Sequence, residues 1–119
     1  MAVGYIGLGS MGGALARRLQ LAEPLTVYDM NAAAVGRLVA AGAQAAGSGA
    51  EVAASCMTVM LCLPTSQHVE DLLYGRGDLA RHLRPGAIVI DQTTGDPSVT
   101  RALARRLRQA DVSMLDAPV

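Results

Sequence analysis

The sequence predicts an α/β domain, a doubly wound parallel sheet of six strands with helices on both faces. Three observations carry that expectation. Short apolar runs alternate with stretches of helical apolar spacing along the whole chain, the pattern of strands joined by crossover helices. The first strand, Ala2-Val3-Gly4-Tyr5-Ile6, passes into the first helix through Gly7-Leu8-Gly9-Ser10-Met11-Gly12. An acidic residue, Asp29, closes the second strand, about 20 residues after the first glycines.

A chain of 119 residues is one domain's worth, short for a complete nucleotide domain plus a catalytic domain. Hydrophobic residues make up 51% and mean hydropathy is +0.31, which places the chain among globular proteins. No apolar run reaches the ~18 residues of a membrane span, and no basic region precedes the first apolar stretch as in a signal peptide. Net charge is zero and the pI is near 6.7, so neither nucleic acid nor an anionic membrane is an expected partner. Cys56 and Cys62 lie six apart in one apolar run. That separation puts them on one face of a strand, too far apart for a disulfide. They lack zinc-ligand spacing, so no metal is expected, and they read as reduced, buried thiols of a cytoplasmic protein.

The elements follow in order. Met11, Leu15 and Leu19 recur every four residues, giving the first helix its apolar periodicity. Pro24 to Asp29 forms the second strand. Asn31 caps a helix over Ala32 to Ala41, with Val35, Leu38 and Val39 as its inner stripe and Gly42 ending it. Ala43 to Ala46 is a third strand of small residues. Ser48-Gly-Ala-Glu51 has capping-box spacing and starts a short helix. Met57 to Leu63 is a continuous apolar run, suited to a central strand covered on both faces, and Pro64 stops it. Thr65 or Ser66 caps a helix carrying Val69, Leu72 and Leu73. Tyr74-Gly75-Arg76-Gly77 breaks that helix, Asp78 caps a short turn of helix through Leu83, and Arg84-Pro85-Gly86 turns the chain. Ala87 to Asp91 is the fifth strand. Asp96-Pro97 starts a helix with Val99, Leu103 and Leu107 inside, and Ser113-Met114-Leu115 is the sixth strand.

The glycine spacing has a chemical meaning in this setting. Gly7 suits a tight turn, Gly9 lets a diphosphate approach bare main chain, and Gly12 lets the helix pack close to the strand. The helix N-terminus offers free N–H groups and a partial positive charge to that diphosphate. A carboxylate at Asp29 would accept the two ribose hydroxyls and repel an added 2′-phosphate. Met30-Asn31 follows it where an arginine would serve the phosphate, so NAD is favoured over NADP. Asn31 either touches the ribose or only caps its helix. Pro64 stands where the nicotinamide ribose would lie and also terminates its strand. Thr93 and Thr94 either offer hydroxyls to the nicotinamide or substrate, or satisfy their own turn. His68 either lines the cleft or is a solvated surface histidine. Arg101, Arg105, Arg106 and Arg108 read as a solvated helix face. All ten basic residues are arginines, poor proton donors at neutral pH, so a general acid for hydride chemistry is missing unless His68 or His82 serves.

Ile6-Gly7-Leu8-Gly9-Ser10-Met11-Gly12-Gly13-Ala14-Leu15-Ala16 resembles the N-terminal signature of the β-hydroxyacid dehydrogenases, of the 3-hydroxyisobutyrate dehydrogenase type, with Leu15 where that signature usually has methionine. Val27 to Asn31, Leu61 to Ser66, Ile90 to Pro97 and Asp116 to Val119 resemble the later family blocks in order and distance. The resemblance covers the whole chain. It implies a Rossmann-type NAD-binding domain over residues 1–119, with the glycine loop, Asp29, Leu63, Pro64, His68 and Thr94 touching the cofactor, although histidine is not usual at position 68. It further implies a full enzyme that moves hydride between NAD and a small 3-hydroxy acid, with 3-hydroxyisobutyrate and tartronate semialdehyde as leading candidates. In such an enzyme a Ser-Gly-Gly substrate motif, a catalytic lysine and an all-helical domain that builds a homo-oligomer would lie past Val119. On that reading the sheet is incomplete at its C-terminal side, no catalytic residue lies in this chain, and the chain alone is inactive. Two other readings stand beside it: a non-catalytic module that senses nucleotide or pairs with another chain, and an NADP-dependent semialdehyde or imine reductase of the same superfamily.

Overall fold

The computed structural model describes residues 2–119. Its strands are β1 (Val3–Ile6), β2 (Leu25–Tyr28), β3 (Gln44–Ala45), β4 (Thr58–Leu61), β5 (Ile88–Asp91) and β6 (Ser113–Asp116). Its helices are α1 (Ser10–Gln20), α2 (Ala32–Ala40), α3 (Gly49–Ser55), α4 (Ser66–Tyr74) and α5 (Pro97–Arg108), with a 3-10 turn at Leu79–His82. All six strands pair in parallel in the order β3-β2-β1-β4-β5-β6. The order reverses beside β1, which puts the crevice for a ligand at the carboxyl ends of β1 and its neighbours. Each expected strand is present, most of them shorter by a residue or more at their ends. β6 has β5 as its one partner among the described residues.

Two apolar clusters sit on opposite faces of the sheet. Tyr5, Leu25 and Val27 pack with Leu8 and Ala16 from the α1 side and Ala34 and Leu38 from α2. Ile6, Val59, Leu61 and Val89 pack with Val52, Val69, Leu73, Leu103 and Leu107 from α3, α4 and α5. The alternation of Tyr5 and Ile6 between the clusters is the pleat of a strand buried on both sides.

Several sequence expectations need correction here. The face of β4, β5 and β6 carrying Met60, Ile90 and Leu115 in register is only partly covered, with Leu115 54% exposed. The apolar run of β4 is therefore not sealed on both sides. Val39 is exposed, and Ala34 replaces it in the inner stripe with Leu38. Met11 is exposed as well, and α1 buries Gly12, Gly13 and Ala16 instead, with Leu15 and Leu19 half-buried. Asp78 makes no cap hydrogen bond; its carboxylate pairs with Arg81 at 2.9 Å. Cys56 and Cys62 are free thiols but face different clusters. The chain is still leaving α3 at Cys56, whose N–H bonds Val52 at 3.0 Å, so the pleat does not relate the two.

Candidate functional site

The turn between β1 and α1 is held against β2 by a hydrogen bond from the Gly7 N–H to the Tyr28 carbonyl at 3.2 Å. Gly7 has φ +101°, and a Cβ there would overlap the Cys62 carbonyl oxygen. A Cβ on Gly12 would overlap the carbonyl oxygen of Gly7. Packing within the chain explains both glycines. Gly9 is different. Its backbone is extended, with φ −65° and ψ −167°, and a Cβ would meet nothing within 4 Å. The fold does not require a glycine there, and its bare main chain leaves open space over the N-terminus of α1.

That terminus also lacks a side-chain cap. Asn31, Ser48, Thr65 and Asp96 each accept a first-turn N–H of α2, α3, α4 and α5. In α1 the first-turn donors stay free for an anion, backed by the helix dipole. Asp29 flanks them at the end of β2. Its Oδ2 accepts the Leu8 N–H at 2.6 Å and its Oδ1 accepts the Asn31 N–H at 2.8 Å. A carboxylate has about four lone-pair sites, so both oxygens keep capacity for a hydroxylated ligand. The protein fixes the carboxylate and leaves its outer edge open.

A cavity of about 290 Å³ lies at this corner between α1 and α2. Of the residues singled out from sequence, Leu8, Gly9, Ser10, Asp29 and Asn31 line it. Gly7 and Gly12 are buried in the turn, Met11 is exposed beside it, and Met30 is 93% exposed. Asn31 uses its Oδ1 to cap α2, accepting the Ala33 N–H at 2.9 Å. The lining also includes Ala14, Arg17, Ala34 and Arg37, which sequence reading missed. The available signal was helical spacing: 10, 13, 14 and 17 share one face of α1, while 34, 37 and 38 share one face of α2.

Leu63, Pro64, His68 and Thr94 lie outside that cavity, at the carboxyl ends of β4 and β5. The Leu63 N–H donates to the Thr93 Oγ1 at 3.0 Å, and the Asp96 N–H donates to the Ser66 Oγ at 2.7 Å. His68 is exposed, with its Nδ1 2.7 Å from the Thr65 Oγ1. The Thr94 hydroxyl donates to the Val119 carbonyl at 2.9 Å. Thr93, left open between ligand and turn by the sequence, is buried and spends its hydroxyl within the turn. Beneath this loop pair the Tyr5 hydroxyl donates to the Gln92 Oε1. Burial, and then the nearby Cys62, push the Tyr5 hydroxyl well above its ordinary value. The Cys62 thiol is itself raised, by burial first and Asp91 second, so it is a poor nucleophile. The arginines of α5 are exposed, and Arg106 also lies over the Tyr74 ring at 3.6 Å. Among the described residues no group of acids, cysteines and histidines could hold a metal. No helix is long and apolar enough to cross a membrane.

Open main chain at an uncapped helix, a fixed carboxylate at the end of the neighbouring strand and a strand-order reversal between β1 and β4 define a dinucleotide-binding domain of the Rossmann type. The chain belongs to the family described as the NAD binding domain of 6-phosphogluconate dehydrogenase, which it matches over residues 2–119. It is 40% identical over 118 residues to an NAD-dependent L-serine dehydrogenase of Pseudomonas aeruginosa, covering 98% of this chain and 40% of that protein. It is 35% identical over 118 residues to the mitochondrial 3-hydroxyisobutyrate dehydrogenase of Mus musculus, covering 98% of this chain and 35% of that one. The solved 3-hydroxyisobutyrate dehydrogenase of Mycobacterium tuberculosis, determined with L-serine, superposes with a TM-score of 0.89 at 25% identity, covering 99% of this chain and 40% of that chain. The chain thus spans about two fifths of the length of such relatives.

Proposed function

We propose that this chain is the NAD-binding portion of an oxidoreductase that moves hydride between NAD and a small 3-hydroxy acid of the 3-hydroxyisobutyrate or tartronate semialdehyde type. The observation that carries the reading is Gly9, a glycine with no structural need to be one, set over free N–H groups and beside a fixed carboxylate. In this reading Gly7, Leu8, Gly9, Ser10, Met11 and Gly12 form the diphosphate seat. Asp29, Met30 and Asn31 receive the adenosine sugar, and the Asp29 charge disfavours a 2′-phosphate. Leu63, Pro64, His68 and Thr94 meet the nicotinamide half. The bound cofactor supplies the hydride chemistry at its nicotinamide ring.

The isolated chain is expected to bind NADH and to turn over no 3-hydroxy acid. It contains no lysine, and an arginine cannot donate a proton at neutral pH. The relatives' length supports a larger enzyme whose remaining part brings the acid/base group, the substrate cleft and a homo-oligomer contact. The unbridged thiols fit a cytoplasmic setting. Calorimetric titration with NADH, NADPH and ADP-ribose tests the binding, and a coupled assay with 3-hydroxyisobutyrate and L-serine tests the inactivity. Failure to bind either NADH or ADP-ribose at millimolar concentration refutes the reading. Measurable turnover by this chain alone refutes the assignment of the proton-transfer group to another part.

A further inference from the structure

Asp91 and Thr93 are the buried polar side chains among the described residues, each 3% exposed. They stand where β5 ends, away from the diphosphate turn. The Asp91 Oδ1 accepts the Thr93 N–H at 2.9 Å. The Thr93 Oγ1 in turn accepts the Leu63 N–H at 3.0 Å. Leu63 is the second residue past β4 and precedes Pro64, which has no N–H. Its amide is therefore the last main-chain donor before Thr65. Proline also confines the preceding residue to extended angles, so one hydrogen bond to Leu63 sets the direction in which Leu63-Pro64 leaves the sheet.

Other bonds in the same loop pair do different work. The Gln92 N–H bonds the Leu61 carbonyl at 2.7 Å and continues the ladder. Ser66 accepts the Asp96 N–H at 2.7 Å and ties the start of α4 to the start of α5. Between those two, Thr93 alone reaches Leu63, and a buried carboxylate anchors it from behind. A buried carboxylate is costly unless its hydrogen bonds are met, so so deep a placement in a loop implies that the geometry it fixes matters.

We infer that Thr93, anchored by Asp91, is a positioning residue that sets the Leu63-Pro64 segment as the seat for the nicotinamide half of the cofactor. This rests on the NAD-binding reading above and deepens it. Thr93 touches no ligand; it acts through Leu63. Its loss leaves the adenosine and diphosphate contacts at Leu8, Gly9 and Asp29 in place, because they sit in the turn between β1 and α1 and just past β2.

The test uses ligands that differ by the nicotinamide group. The parent, Thr93→Val and Thr93→Ser are titrated with NADH and with ADP-ribose by calorimetry. Thr93→Val leaves the half-buried Leu63 N–H without its acceptor, and ~10-fold weaker NADH binding is expected. ADP-ribose affinity is expected to stay within about 2-fold of the parent, and Thr93→Ser, which keeps the hydroxyl, to recover NADH affinity to within about 3-fold. If Thr93→Val does not fold, Asp91→Asn, which keeps the shape but removes the anchoring charge, carries the same selective loss at about 3-fold. Parallel losses of NADH and ADP-ribose, unchanged NADH binding, or failure of the serine to rescue would each overturn the positioning role and leave the NAD reading standing. A parent that binds neither ligand overturns the NAD reading and the role of Thr93 with it.

Discussion

Replacing Gly9 with serine sets stability against binding. Gly9 already has the extended backbone of an N-cap residue, and its Cβ position is open to 4 Å, so a serine fits without moving anything. The new hydroxyl can accept a first-turn N–H of α1, as Ser48 does from Glu51 at 3.1 Å in α3. A serine cap is favoured over glycine by a few tenths of a kcal/mol. Removing a glycine from the unfolded chain contributes about 0.4–1 kcal/mol more. The sum, roughly 0.5–1.5 kcal/mol, raises Tm by about 2–6 °C for a chain of this size. The same hydroxyl occupies the space a diphosphate needs and takes a donor from it. A hydrogen bond to a charged group contributes about 1.5–3 kcal/mol, so NADH binding is expected to weaken about 10- to 100-fold. Thermal melts and NADH titration of Gly9→Ser against the parent measure both quantities. A variant that melts below the parent, or that binds NADH within about 3-fold of it, refutes the argument that this glycine is kept for a ligand.

Gly7→Ala should behave in the opposite sense: with φ at +101° and a Cβ overlapping the Cys62 carbonyl, it should lose at least about 2 kcal/mol in urea unfolding. Asp29→Asn keeps an acceptor for Leu8 but removes the charge facing a 2′-phosphate. At about 5 Å in water-like dielectric that repulsion is about 1–2 kcal/mol, so the ratio of NADH to NADPH affinity should fall about 10-fold; an unchanged ratio sinks the specificity argument. Asp91 carries a pH signature. Burial, the largest cause, raises its pKa above the ordinary 3.8, with Thr93 pulling it back and Asp116 raising it further. The native chain thus holds this proton more tightly than the unfolded chain, and its contribution to stability is complete below pH 3.8 and is lost as pH rises through the raised native value. Melts of the parent and Asp91→Asn from there to about pH 7 should show the parent losing stability relative to the variant; parallel curves would contradict the sign. Asp96, lowered mainly by Ser98 hydrogen bonds, titrates in the opposite sense, so the comparison with Asp91→Asn isolates the buried group.

The order of elements was legible because each signal is local. Apolar runs, Asn31, Ser48 and Asp96 as caps, Pro64 as a stop and the G-x-G-x-x-G turn act within a few residues of themselves, and parallel crossovers then leave few topologies open. Asp29 was legible for the same reason, as the end of a strand at a fixed distance from a glycine turn. What failed depends on which neighbour arrives. Val39 and Met11 fit a helical stripe by spacing, yet Ala34 and Ala16 face the sheet, because the approach of α1 to α2 and the strands sets the buried arc. Cys56 and Cys62 obeyed strand parity only if one strand joined them, and α3 runs into the first of the two.

The chain's own residues determined that a bare main-chain turn, a helix start and a carboxylate would follow one another. Only the folded structure decided which of the three glycines is spare, that Arg17 and Arg37 line the same cavity as Asp29 from two helices, and that the Thr93 hydroxyl accepts the Leu63 N–H. The reason is that steric need and hydrogen-bond satisfaction are properties of pairs far apart in sequence. Gly7 meets Cys62, and Leu63 meets Thr93, only once β1, β4 and β5 lie side by side.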